Sequence, residues 1–107
     1  MNSTRNRKQE DRRSSRYPLE AFAILICNND IIETTTVNMS SDGVLLKRPI
    51  PKEWLQKEIT LQLSYENSEG KVFEVAGLCQ AVDDSLERVK FQTNKNKFNE
   101  FIEKVFA

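Results

Sequence analysis

A cluster of arginines close to the N-terminus is the first feature with evident chemistry. Arg12, Arg13 and Arg16 stand in the segment Arg12-Arg13-Ser14-Ser15-Arg16, just before the first apolar run. A guanidinium group presents a planar fork of donors that can bind a phosphate or a guanine edge at two points, and it can also stack on an aromatic base. The segment therefore predicts an anion-binding site, although a solvated basic leader would have the same composition.

A second polar segment, Asn38 to Gly43, separates two apolar runs further along the chain. Asn38 offers a carbonyl acceptor and an amide donor, and Ser40 offers a hydroxyl group. Gly43 permits either a positive φ or a close backbone approach. Displayed at the rim of a sheet, these groups could together bind the edge of a polar ring. They are also ordinary residues of turns between strands, so the segment by itself leaves both interpretations open.

The remaining composition argues against an enzyme. The chain contains no histidine, which removes the commonest general base and the commonest metal ligand. Its two pairs of adjacent carboxylates, Glu10-Asp11 and Asp83-Asp84, are of a kind that is usually solvated in arms and turns. We therefore expect a binding protein with no catalytic residue, no metal and no cofactor.

Length and charge distribution indicate one soluble domain with a basic N-terminus. The 107 residues suffice for a single modest core. The chain is neutral overall, but residues 1–16 hold an excess of basic side chains and the rest an excess of acidic ones, which suggests that the basic part meets an anion. Because no apolar run is long enough to span a bilayer and no secretory signal is evident, we expect a cytoplasmic protein without membrane insertion. Cys27 and Cys79 stand in separate apolar segments and are predicted to be buried thiols.

Alternating apolar residues predict that strands position both polar segments. Residues 1–15 contain no apolar side chain after Met1, so we expect disorder there without a partner, with a flexible basic arm at residues 1–11 and one domain at residues 12–107. Strands are predicted to begin near residues 19, 31, 44, 59, 72 and 86, with turns between them. Gly77 inside the fifth strand is expected to mark a bend or bulge.

Helical spacing appears only at the end of the chain. Phe98, Phe101, Ile102 and Val105 fall on one helical face, and Asn94 or Thr93 is available as an N-cap. Six short strands followed by one helix predict a mainly β fold, a small six-stranded antiparallel barrel of Greek-key-like order with a C-terminal α-helix packed on it.

The two polar segments together resemble the PilZ domain family. Its signature is Arg-x-x-x-Arg near the N-terminus, followed after one strand hairpin by Asp/Asn-x-Ser-x-x-Gly. Arg12 and Arg16 match the first motif, and Asn38, Ser40 and Gly43 match the second. The resemblance extends over residues 10–107, because the predicted barrel and helix follow the order found in the family.

What this resemblance implies is binding of cyclic di-GMP, a bacterial second messenger with two phosphates and two guanines. Guanine exposes O6 and N7 as neighbouring acceptors, which suit an arginine fork. Arg12 and Arg16 would supply those contacts and neutralise phosphate, while Arg13 would be either a further phosphate contact or a solvent-facing side chain. Asn38 would accept hydrogen bonds from the other guanine edge, and Ser40 would add one more. Gly43 would let the backbone turn or approach the ligand.

Three positions depart from the family pattern. Many members carry arginine directly before the first motif arginine, where this chain has Asp11, so we expect one nucleotide per chain rather than a stacked pair. Asn38 replaces the commoner aspartate and is a weaker acceptor than a carboxylate. Arg88 stands near the start of the final strand, where members often have glycine, and its effect stays open.

The resemblance leaves more than one function open. The leading hypothesis is a cyclic di-GMP sensor or adaptor that reorders its N-terminal arm on binding and signals to a partner protein. The alternative is a PilZ-fold interaction module that does not bind nucleotide and docks through exposed apolar surface around Trp54 or Phe106. A nucleic-acid-binding barrel would need aromatic platforms on its surface, whereas Tyr65, Phe73 and Phe91 are predicted to face inward. The sequence leaves the partner, the pathway and the oligomeric state open.

Overall fold

Seven β-strands and one α-helix make up residues 16–107, the part of the chain that the computed structural model describes. The predicted flexible arm at residues 1–11, and the boundary after it, lie outside the described residues. The strands are β1 Tyr17–Pro18, β2 Phe22–Cys27, β3 Asp30–Met39, β4 Gly43–Leu46, β5 Ile59–Glu66, β6 Val72–Ala81 and β7 Arg88–Phe91. The helix, α1, spans Lys95–Val105, and a single 3₁₀ turn at Lys52–Trp54 precedes β5.

Six of these strands close into an antiparallel barrel in the order β3-β2-β5-β6-β7-β4, because β4 pairs back onto β3. The predicted six-stranded barrel with a C-terminal helix is therefore confirmed. The two-residue strand β1 was not predicted. It pairs with the end of β3 at Met39 and Asn38, while β2 pairs with the beginning of the same strand.

The barrel interior is filled by alternate residues of each strand. On β5, Ile59, Leu61 and Leu63 are buried, whereas the residues between them are not. This is the period-2 pattern of a strand with one face on a core. Cys27 and Cys79 are both buried and free, as predicted from their apolar surroundings.

The aromatic side chains also follow the prediction that they face inward. Phe91 is buried in the core, and Tyr65 and Phe73 are half-buried against it. Phe22 on β2, in contrast, lies on the outer surface of the barrel.

Thr36 joins β1 to β2 across a break in the ladder. The chain leaves the ladder between the two strands at Leu19–Ala21. There the Thr36 hydroxyl accepts a hydrogen bond from the Ala21 N–H at 2.9 Å and donates one to the Leu19 carbonyl. Thr36 is only 1 % exposed, so its hydroxyl satisfies two backbone groups that water cannot reach. This arrangement fixes β1 beside the end of β3.

Gly77 does not mark a bulge. The β5–β6 ladder runs in register through this position, with Gly77 opposite Leu61. A Cβ at Gly77 would lie 2.7 Å from Cε2 of Phe98 and 3.0 Å from the Thr93 carbonyl oxygen. The glycine therefore permits close packing of the helix on the strand. The irregularity is in β3, where the register shifts between Thr36 and Asn38.

The helix packs its apolar face onto the barrel as predicted. Phe98, Phe101 and Ile102 are buried, and the Phe98 ring stacks on Phe91 with centroids 4.0 Å apart. The predicted side-chain N-cap is wrong, because Asn94 adopts a left-handed conformation with φ 59° and makes no cap hydrogen bond. Its amide instead donates to the Ala76 carbonyl at 2.9 Å, which ties the start of the helix to β6. Within residues 16–107, no helix has the length and apolar character needed to cross a membrane.

Of the two places predicted for an exposed apolar docking surface, the one around Trp54 is wrong. Trp54 is 3 % exposed and belongs to the core, so it cannot form a docking surface. Phe106 follows the helix and is exposed, and its ring lies 5.4 Å from that of Tyr17 on β1. The end of the helix and the first strand therefore meet.

Candidate ligand-binding site

The first motif is only partly inside the described residues. Arg12 and Arg13 lie outside them, as does Asp11, whereas Arg16 is the first residue that the structure describes. Arg16 directly precedes β1, whose pairing with Met39 and Asn38 places it beside the end of β3.

Arg16 and Asn38 connect the two motifs directly. Nη1 of Arg16 donates a hydrogen bond to Oδ1 of Asn38 at 3.0 Å. Asn38 was predicted to lie in a turn, but it is part of β3, with Pro18 paired on one side and Leu45 on the other. The strand continues because both flanks are paired. A guanidinium group has five donors, so the hydrogen bond to Asn38 fixes the group while leaving others for a ligand.

Ser40 begins the tight turn between β3 and β4. Its N–H donates to the Gly43 carbonyl at 2.9 Å, and its hydroxyl accepts from the Asp42 N–H at 3.2 Å. The residue is 4 % exposed. Ser40 thus shapes the turn, and its hydroxyl hydrogen is still available to a group in the cleft described below.

Gly43 brings two strands together and does not make the turn. Its φ is not positive, unlike that of Gly70 at 84°. A Cβ at this position would overlap the carbonyl oxygen of Val89 and lie 2.9 Å from Cα of Lys90. Of the two roles considered for this glycine, the structure shows close backbone approach, and the backbone approached is β7.

A cleft of about 330 Å³ opens beside these residues. One side is formed by Arg16, Ser40, Asp42 and Gly43, and the opposite side belongs to β7 and its flanks. The lining residues on that side are Val82, Arg88, Val89 and Lys90, with Val44 beneath. Four of the six predicted site residues, Arg16, Asn38, Ser40 and Gly43, are therefore at one end of the barrel.

The cleft has more basic than acidic side chains among its described residues. Arg16, Arg88 and Lys90 line it with Asp42 as the sole acid. Among residues 16–107 the one ion pair joins Lys47 to Glu20 at 3.1 Å, outside this cleft. A surface with this charge excess and with flexible donors attracts anions.

Sequence reasoning did not name Lys90, which lines the cleft, and it noted Arg88 only as a departure from a pattern. The signal was present, because basic residues at alternate positions of a strand share one face. Val89 between them is buried, so Arg88 and Lys90 face outward. What the sequence lacked was the pairing of β7 with β4, which brings that face next to Gly43.

The sequence matches a known protein family over a range that includes the residues of this cleft. A family model for the PilZ domain matches residues 10–104. The chain belongs to the PilZ domain family. The matched range includes both arginines of the first motif and the whole of the second. A search of curated proteins found no match.

PilZ domains are generally linked to binding of cyclic di-GMP, and they act as binding or adaptor domains rather than as enzymes. Burial raises the pKa of the Cys79 thiol to about 12, so at neutral pH this thiol is protonated and enclosed in the core.

Proposed function

We propose that this PilZ domain binds cyclic di-GMP in the cleft between Arg16 and β7 and passes the signal to a partner protein. The observation that carries the proposal is the 3.0 Å hydrogen bond from Arg16 to Asn38. It joins one residue of each family motif, so the Arg16 side chain is held beside the second motif. A side chain held in this way loses less conformational freedom when a ligand binds.

The chemistry of the ligand matches the groups on the cleft. The Arg16 guanidinium, oriented by Asn38, has free donors for guanine O6 and N7 or for a phosphate oxygen. The other guanine edge carries N–H donors. The side-chain oxygen of Asn38 and nearby backbone carbonyl oxygens can accept hydrogen bonds from them. The Ser40 hydroxyl lies on the same cleft and can donate to the ligand.

The signalling step involves the residues that precede Arg16. Arg12 and Arg13 are separated from it by only two serines, so one ligand bound by Arg12 and Arg16 would fix that segment against the barrel rim. Charge-assisted hydrogen bonds offset the entropy of such ordering. With Asp11 in place of a further cation, we propose one nucleotide per chain. The segment held in this way would form the surface that a partner protein recognises.

Isothermal titration calorimetry with cyclic di-GMP tests this function. Wild-type protein should bind, and Arg16→Ala should weaken binding roughly tenfold to a hundredfold, since a hydrogen bond to a charged group contributes about 1.5–3 kcal/mol. Arg48→Ala is the matched control, because Arg48 is exposed and its Nη1 contacts the Glu33 carbonyl outside the cleft at 3.4 Å. Absence of binding heat from wild-type protein with ligand at tens of micromolar would contradict the proposal.

The alternative function, a protein-interaction module without nucleotide, is favoured by a different surface. Phe22, Ile24 and Ile26 alternate along β2 on the outer face of the barrel, and Ile31 pairs opposite Ile26. Phe22 is 43 % exposed and Ile31 is 63 % exposed. Partner capture that is unchanged by cyclic di-GMP and lost in Phe22→Ser would favour this second function.

A further inference from the structure

The strand β7 carries two exposed cations, Arg88 and Lys90, that are not part of either family motif. We propose that they form a phosphate-binding subsite, which holds a phosphodiester group of the ligand while Arg16 and Asn38 bind its guanine. The inference rests on the proposed function for the identity of the ligand, but the subsite itself rests on the geometry of β3, β4 and β7.

The strand register aligns the two sides of the proposed site. Asn38 pairs with Leu45, and Leu45 pairs with Arg88, so the three residues form a row across neighbouring strands. Adjacent strands are about 4.8 Å apart, which puts the backbones of Asn38 and Arg88 roughly 10 Å from each other. Arg16 approaches this row from the Asn38 end through its hydrogen bond. The two arginines thus stand at opposite ends of a span comparable with one nucleotide.

Beside this row, the cleft has a recess because Gly43 has no side chain. Gly43 pairs with Lys90, so any side chain there would point into the cleft or collide with β7. A Cβ would overlap the Val89 carbonyl oxygen, which means that the position stays empty as long as the strands pair. The volume of about 330 Å³ admits a phosphate with its sugar, but it is small for a complete dinucleotide.

Neither cation of the subsite is ion-paired within the described residues, and Asp42 is the one carboxylate that lines the same cleft. Arg88 and Lys90 are two positions apart on one strand, so their Cα atoms are about 6.6 Å apart. Like charges at this distance repel each other, and neither forms an ion pair within residues 16–107. A bound anion removes that repulsion. The arginine supplies a two-point fork and the lysine a mobile point charge, a combination that suits the two free oxygens of a phosphodiester.

Charge-neutralising variants test the subsite. We expect Arg88→Gln and Lys90→Gln each to weaken cyclic di-GMP binding about tenfold by calorimetry, because each removes one charge-assisted hydrogen bond. The double variant should also show a smaller loss of affinity between low and high salt, since fewer charges are screened. Arg48→Gln and Lys57→Gln make the same chemical changes outside the cleft and should bind as wild type does. A double variant that binds within twofold of wild type would overturn the inference.

Failure of the ligand assignment can be separated from failure of the subsite. If wild-type protein does not bind cyclic di-GMP, the proposed function is wrong, and inorganic pyrophosphate becomes the probe. Saturable shifts of the Gly43 and Lys90 amide resonances in wild type, abolished in the double variant, would support the anion subsite. Absence of such shifts in wild type, or their persistence in the double variant, would overturn it. Circular dichroism of each variant confirms that it is folded.

Discussion

Gly43 is a family-motif residue whose effect on the cleft is indirect. It has no polar side chain, and its backbone is not in the left-handed conformation that favours glycine. What it provides is the close contact of β4 with β7 and the hollow above that contact. A ligand that enters the cleft therefore meets a floor made of backbone. Glycine is needed at this position for packing, and the binding surface follows from that packing.

The first prediction concerns Gly43→Ala. The added methyl group would overlap the backbone of Val89, so β4 and β7 must separate. Overpacking of this kind costs roughly 1–3 kcal/mol, measured as the free energy of unfolding in urea. Because the cleft is distorted, cyclic di-GMP binding should weaken as well.

Gly70→Ala is the control for this change. Gly70 has φ 84°, so alanine is strained there, but the nearest heavy atom to its Cβ is 3.8 Å away. This variant should lose stability without a change in ligand affinity. Equal effects of both substitutions on affinity would contradict the role assigned to Gly43.

The candidate site residues were named from the sequence, but their places in the strands and the turn could not be predicted. Asn38, Ser40 and Gly43 stand out as polar residues between apolar runs, which suggested one continuous turn. In the structure, Asn38 belongs to β3 and Gly43 to β4, and only the three residues between Met39 and Gly43 turn the chain. The strands are longer because β1 and β4 pair with the two sides of β3. Such pairing depends on contacts distant in sequence, which local propensity does not contain.

At the scale of elements, Thr36 determines where β1 lies. β1 and β2 both pair with β3, and between them the pairing is interrupted. A single buried hydroxyl bonds to both sides of the interruption. β1 in turn positions Arg16 next to Asn38. A residue in the core of the sheet therefore supports the geometry of a surface site.

The second prediction is that Thr36→Val destabilises the protein despite its similar shape. Valine leaves the Ala21 N–H and the Leu19 carbonyl buried without a partner, and each unsatisfied group costs about 1–3 kcal/mol. Thermal and urea denaturation should show a loss of roughly 2–6 kcal/mol for the two groups together. Thr34→Val is the matched control on the same strand, because the Thr34 hydroxyl makes only a 3.4 Å contact with the adjacent carbonyl. A Thr36→Val protein as stable as the control would contradict this account.

Strands and helices could be predicted from the sequence where apolar residues recur at regular spacing. The period-2 pattern of β5 and the helical spacing of Phe98, Phe101 and Ile102 both correspond to observed elements. The role of Gly77 was not predictable, because the ring that packs against it belongs to a helix about twenty residues later. Asn94 likewise has the composition of a cap, but its side chain bonds to β6, which lies close only in the folded chain.

At the scale of the whole molecule, barrel closure could be expected, but its register could not be predicted. Six amphipathic strands favour a closed sheet because closure leaves no long open edge. The barrel closes where β3 pairs with β4, and the pairing register shifts between Thr36 and Asn38. This register shift could not be predicted from a sequence pattern. That shift also sets which side chains of β3 and β4 lie opposite each other at the site.

The third prediction uses the core thiol as a probe of global stability. Burial raises the pKa of Cys79 from an ordinary value of 9.0 to about 12. The folded state therefore keeps a proton that the unfolded state releases, so the stabilisation is complete below about pH 9 and is lost as pH rises towards 12. Between pH 8 and pH 10, the unfolding free energy of wild type should fall by about 1.4 kcal/mol more than that of Cys79→Ala.

Urea denaturation at several pH values measures this difference, and groups other than Cys79 cancel between the two proteins. Iodoacetamide at pH 8 should leave Cys79 unmodified in the folded protein and alkylate it in denaturant. Parallel stability curves for wild type and variant would contradict the assigned pKa.

The ring contact between Tyr17 and Phe106 joins the two ends of the described chain. Closing so long a loop has a high entropy cost that only the completed barrel can repay. The contact therefore forms late in folding and is among the first to open in native-state fluctuations, since β1 has only two residues and both rings are partly exposed. Arg16 directly precedes Tyr17, so each such opening loosens the segment that holds its side chain beside Asn38. The residue proposed to bind the ligand thus adjoins a two-residue strand that lies outside the six strands of the closed barrel.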